Sequence, residues 1–78
     1  MIRKGTVLSL SVDNSKTQYV VIGRLDDICR GQGGWLCVET DALVEKGVEH
    51  ITAFDCWRAT DKYLEMKIQT GEIEIINL

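Results

Sequence analysis

Residues 60–75, TDKYLEMKIQTGEIEI, can be read in two ways, and the choice decides the fold. Leu64, Met66 and Ile68 alternate with Glu65 and Lys67, the period of two that marks a half-buried strand. Ile73 and Ile75 repeat the pattern against Glu72 and Glu74, and Gln69-Thr70-Gly71-Glu72 between them supplies a tight turn with a glycine free to take positive φ. On that reading the chain ends in a hairpin. The rival reading takes Thr60 as an N-cap, runs a helix through DKYLEMK and stops it at Gly71. The hairpin is the adopted reading, in keeping with a dominant period of two along the chain.

That period is clearest near the N-terminus. Leu8, Leu10 and Val12 fall on one face of a strand whose other face carries Ser9 and Ser11. Asp13-Asn14-Ser15-Lys16 has turn chemistry, since short polar side chains bond back to the backbone and Asn tolerates a left-handed conformation. Residues 17–25 follow as a second strand, so that 5–25 form a hairpin. Within it Tyr19-Val20-Val21-Ile22 is an uninterrupted apolar run, which implies cover on both faces. Residues 26–34 read as a mobile glycine-rich loop, and Trp35-Leu36-Cys37-Val38-Glu39 as a short third strand. Residues 40–47 read as about one and a half turns of helix near 41–46, with Thr40 or Asp41 as N-cap and Gly47 past its end. Residues 48–54 resume as a strand, and 55–61 are irregular.

Seventy-eight residues with 45% hydrophobic side chains make one folded domain, 1–78, near the lower size limit for building a core. No apolar run reaches the roughly 18 residues that span a bilayer. The N-terminus alternates apolar residues with serine and threonine and lacks a cleavage site of small residues, so a cytoplasmic location and no membrane partner are expected. Three cysteines, an odd number, suit free thiols in a reducing compartment. The net charge is −3: residues 1–40 hold five cations against four anions, and residues 41–78 four against eight. Neither half shows the basic stripe of a duplex-DNA binder.

The expected fold is therefore all-β, with a small α+β variant as the alternative. It is a single bent-sheet barrel of five to six strands with one short helical turn, resembling SH3-like, Sm-like and OB barrels in architecture alone.

Candidate sites are few. Arg30, Gln32, Gly33 and Gly34 offer a cation and open backbone N–H groups, and Trp35 beside them a stacking surface; Trp57 with Arg58 repeats the pairing of aromatic and guanidinium. The order lacks the spacing of a phosphate-binding P-loop. Cys29, Cys37, His50 and Cys56 are the residue types for tetrahedral zinc, a minor alternative because the nearest cysteines are spaced C-x7-C and no two ligands stand two to four residues apart. One histidine and the adjacent Asp26 and Asp27 supply no catalytic constellation, so no enzyme and no cofactor are expected. Apolar residues in excess of one barrel interior suggest an interface, with Tyr19, Val20 and Ile22 as the contact in a homo-oligomer. The resulting expectation is a non-enzymatic, self-associating interaction or regulatory module, an adaptor or inhibitor of a protein partner. Its hot spots would be Trp35, Trp57 and Arg58. The alternative is a barrel that holds a single-stranded nucleic acid or a nucleotide.

Overall fold

The computed structural model describes residues 2–77. Residues 61–70 are a helix, not a strand. Thr60 caps it, its hydroxyl oxygen accepting the Tyr63 N–H at 3.1 Å, and Gly71 ends it with φ 83° and an N–H donated to Ile68. Asp61 in its first turn and Lys67 in its last complement the helix dipole. Leu64 and Ile68 are four apart, a spacing that both a strand and a helix place on one face, so Met66 alone separates the two readings. On a strand Met66 would lie beside Leu64. Here it is half exposed while Leu64 is buried.

The remaining elements form one antiparallel sheet. Its strands are β1 (Val7–Val12), β2 (Ser15–Cys29), β3 (Gln32–Glu39), β4 (Cys56–Thr60) and β5 (Ile73–Ile75), and their spatial order is β4-β3-β2-β1-β5. Two helices accompany them, α1 (Thr40–Lys46) and α2 (Asp61–Thr70). The first four strands are a meander. Asp13 and Asn14, with φ 47° and 68°, make a two-residue turn between β1 and β2, the left-handed pair whose twist suits a hairpin. From the end of β4, α2 carries the chain across one face of the sheet to the far edge, where β5 joins β1. The sheet is not closed into a barrel: among the described residues β4 and β5 each pair on one side only. The segment that would have supplied a closing strand has become the helix that covers the face.

Two further expectations are corrected. Residues 48–54 are not a strand but two short 3-10 turns, Val48–His50 and Ala53–Asp55. Gly47 at φ 76° turns the chain out of α1, and Asp55 accepts the Thr52 N–H at 2.9 Å, so local side-chain bonds satisfy backbone that a ladder would otherwise take up. Residues 56–60, expected to be irregular, are β4 and pair with β3 without a register shift. Helix α1 occupies its expected place, with Gly47 past its end. Glu39 rather than Thr40 stands at its N-cap and makes no side-chain cap, while the Thr40 hydroxyl bonds the Gln18 carbonyl.

Register fixes the two faces. Leu8, Val21, Cys37, Ala59 and Ile73 point to the side that α2 covers and bury Leu64 among them, with Leu10, Tyr19, Trp35, Trp57, Tyr63, Ile68 and Ile75 packed around this core. The opposite side carries Val7, Val20, Leu36 and Val38; of these Val38 is fully buried, and α1 lies near β2 and β3. In Tyr19-Val20-Val21-Ile22, Tyr19 and Val21 thus face α2, while Val20 is half-buried on the opposite side.

Replacing Leu64 by Ala should cost about 2–5 kcal/mol, the usual cost of emptying a buried leucine site. Met66→Ala should change stability by less than about 0.5 kcal/mol. Denaturant unfolding of both variants tests the helix directly, because a strand through this segment would make the two losses comparable.

Candidate functional site

The glycine-rich stretch is a hairpin rather than an open loop. Strand β2 continues to Cys29, β3 begins at Gln32, and Arg30 and Gly31, with φ 49° and 80°, form a two-residue turn. The Asp27 carboxylate accepts the Gly31 N–H at 2.8 Å and steadies the tip. Arg30 and Gln32 are exposed at that tip, whereas Gly33 and Gly34 lie farther down β3. Gly34 is buried, and a Cβ there would overlap the Ala59 carbonyl oxygen and come within 2.7 Å of both Ile28 Cδ1 and Thr60 Cα. Its small size lets β3 and β4 approach; nothing in its surroundings is shaped for a ligand. At Gly33 a Cβ would stand 2.9 Å from Arg24 Nη2 and 3.1 Å from the Leu25 and Asp26 carbonyl oxygens.

The two tryptophans share the face under α2. Trp35 is covered by the Arg24 guanidinium, 4.9 Å from its ring centre, and Arg24 also grips Asp61 through two bonds of 2.6 and 2.7 Å. These bonds hold the Asp61 carboxyl below, and the Arg24 guanidinium above, their ordinary pKa values. Trp57 lies between Tyr19, at 5.1 Å, and Tyr63, edge-on at 5.7 Å. Arg58, next to Trp57 in the chain, is exposed on the other face of the sheet, since successive strand residues alternate. The pairing of aromatic and guanidinium that the structure contains is therefore Arg24 with Trp35. Register builds it across eleven residues of sequence, and no local pattern could have signalled it.

Tyr19, Val20 and Ile22 sit on the central strand, whose two edges are already paired with β1 and β3. Tyr19 belongs to the aromatic row, Val20 to the opposite face and Ile22 to a register irregularity between Val21 and Gly23. The four residues of the zinc set are apart. Cys29 is near the hairpin tip, Cys37 in the core under α2, His50 in an exposed turn, and Cys56 on the far face, its thiol bonded to the Thr52 carbonyl. No group of three or more His, Cys, Asp or Glu able to hold a metal occurs among the described residues.

Two features escaped the sequence reading. The first is a set of exposed apolar side chains on α1 and the segment that joins it to β4: Phe54 is 99% exposed, Val44 84% and Val48 79%. The segment that carries them is tied down, because Lys46 bonds Asp55 at 2.7 Å and Asp55 in turn caps the turn at Thr52. Those bonds hold the Asp55 carboxyl below its usual range. The period-two reading of 48–54 concealed this by assigning Val48 and Phe54 to a sheet. The second is a pair of recesses flanking α2. The larger, about 700 Å³, is walled by Ile2, Trp35, Leu64, Ile68 and Ile75 with Arg24 at its rim; the smaller, about 330 Å³, lies along β4 beside Trp57 and Tyr63.

Burial pushes the Cys37 thiol up to about 11, so its reactive thiolate is scarce at neutral pH. Native-state alkylation followed by intact mass spectrometry should modify exposed Cys29 first and Cys37 only on unfolding. As an acid with a raised native pKa, Cys37 should favour the folded state fully below its ordinary value of 9.0, a contribution lost as pH rises towards about 11. Gly34→Ala should destabilise the domain by about 1–3 kcal/mol, and Gly33→Ala by less, because its closest contact is 2.9 Å rather than an overlap with backbone. Compared with known proteins, the chain matches no family model, no curated protein and no solved structure.

Proposed function

We propose that the protein acts by binding rather than by catalysis, as a small interaction or regulatory module of the adaptor or inhibitor kind, working through contact with a second copy or another protein in a reducing compartment such as the cytoplasm. The observation that carries this reading is the fully exposed Phe54, set with Val44 and Val48 on a segment held in place by the Lys46–Asp55 bond. Single exposed apolar residues are ordinary, but three large ones within eleven residues on a fastened segment form a ready contact. Little ordering entropy is then lost on association, which is how a small surface yields useful affinity. A contact at Tyr19–Ile22 would have to act through half-buried Val20 and Ile22, which offer less apolar surface.

The alternative, a single-stranded nucleic acid or a nucleotide, has less to rest on. The glycine-rich tip is a two-residue turn, and the faces of both tryptophans are engaged by Arg24 or by tyrosines. It would show as steeply salt-dependent binding of oligonucleotide.

The double variant Val48→Ser, Phe54→Ser should keep the wild-type melting behaviour within about 0.5 kcal/mol. Sedimentation velocity should show concentration-dependent association of the wild type and a monomeric variant. Association unchanged by the substitutions would remove this surface from the reading. A wild type that stays monomeric at every concentration removes self-association and leaves a different protein as partner.

A further inference from the structure

We infer that the free edge of β4 and the recess beside it receive an extended segment of another protein in which an acidic residue stands between two apolar ones. This rests on the reading of the protein as a binding module and names the chemistry of its partner.

Strand β4 bonds β3 on one side, and among the described residues no strand pairs with its other side, which presents backbone N–H and C=O groups. Exposed edges are commonly spoiled by proline, bulges or brevity. The edge Cys56-Trp57-Arg58-Ala59-Thr60 has no proline, and its register with β3 runs unbroken over all five residues. Beside it the recess of about 330 Å³ is lined by Trp57, Arg58, Ala59, Thr60 and Tyr63, that is, by the edge strand itself and the first turn of α2. An edge strand alongside a helix is the arrangement in which an added strand gains main-chain bonds from the edge and specificity from a pocket for alternate side chains.

The alternation of β4 specifies those side chains. Trp57 and Ala59 face the α2 side, and Arg58 faces the other. Strand residues level with Trp57 and Ala59 would lie against the two aromatic rings, so they are apolar. The residue between them would lie beside Arg58. The charges sort themselves to match. Asp55 and Asp61, at the two ends of β4, are each bound by a cation, Lys46 and Arg24, and Lys67 is held by Glu72. Arg58 and Lys62 are exposed and belong to no ion pair among the described residues. On a chain of net charge −3, this edge is left with uncompensated positive charge.

A second copy fits less well. Two β4 edges related by a two-fold axis would bring two Arg58 guanidinium groups together. The other edge, β5, carries the matching pattern Ile73-Glu74-Ile75. It runs in the same direction as β4, however, so extending the sheet from copy to copy would need a parallel pairing, the weaker kind, over only three residues. A segment of a different protein is free to run antiparallel.

The test uses the full chain and two fluorescent peptides, Gly-Ser-Thr-Ile-Glu-Val-Thr-Ser-Gly and the same sequence with Lys in place of Glu, titrated by anisotropy. The Glu peptide should bind, and the Lys peptide should bind at least about tenfold more weakly. Arg58→Glu, an exposed change whose folding circular dichroism confirms, should reverse that preference. A Glu peptide N-methylated along one edge should lose binding, because it cannot complete the ladder. Equal binding of both peptides, or a preference untouched by Arg58→Glu, would overturn the proposal. If neither peptide binds, the edge proposal falls whatever the association state, and the binding-module reading is decided separately by the sedimentation of the Val48 and Phe54 variant. Self-association that Arg58→Glu abolishes and the Glu peptide competes away would assign the edge to β5 of a second copy, and so refute the choice of occupant.

Discussion

The structure depends on the seating of α2 across one face of the sheet. Leu64 is its anchor, buried among Leu8, Val21, Cys37, Ala59 and Ile73, which come from all five strands. Burying one leucine side chain supplies about 1.5–3 kcal/mol, a large share of the stability available to a domain of this size. The helix does what barrel closure would have done, since it covers the apolar face of a sheet too small to pack on itself. It also sets the topology. By spanning the face it delivers β5 to the edge opposite β4, so the first four strands form a meander whose ends cannot meet. The two open edges and the two recesses beside the helix follow from that single placement.

The sequence made the first hairpin legible because there local chemistry and tertiary structure agree. Leu8 and Leu10 alternate with serines, and Asp13-Asn14 can take the left-handed pair that the turn requires. The second hairpin was harder. Its glycines suggested slack, yet Gly34 serves the close approach of β3 to β4 and only Gly31 serves the turn. The C-terminal third was misread for a specific reason. Residues four apart share a face in both helix and strand, so Leu64 and Ile68 could not decide, and Met66, which could, was counted with them. The caps Thr60 and Gly71 held the deciding information, and outweighing them with periodicity was the error. The apolar residues of 48–54 misled in the opposite sense. Their alternation was real, but Gly47 and the Thr52–Asp55 bonds turned the backbone away from the sheet.

The candidate site was less legible than the fold, because its residues are brought together by register and not by proximity in the chain. Trp57 and Arg58 are neighbours in sequence and stand on opposite faces. Arg24, Trp35 and Asp61 are distant in sequence and form one stacked, doubly hydrogen-bonded cluster. Adjacency in a strand separates side chains, whereas pairing across strands joins them, so a reading that groups neighbours will group the wrong residues wherever the sheet is covered on both faces. Tyr63 was missed along with α2, and with it the aromatic row Tyr19–Trp57–Tyr63.

The two edges of the sheet are treated differently. Strand β5 is only three residues long, and brevity discourages pairing at an edge; beyond it the Asn77 side chain accepts the Val7 N–H and donates to the Gly5 carbonyl. Strand β4 is longer and unbroken, and its single charge, Arg58, discourages a second β4 while inviting an acidic partner. Two residues before β4 begins stands Phe54, fully exposed on its fastened turn. An edge meant only to be harmless would have been blunted at both sides of the sheet. The bluntness of β5 and the openness of β4, with an aromatic recess and uncompensated cations gathered at the open one, are the features of a sheet that is extended from one side.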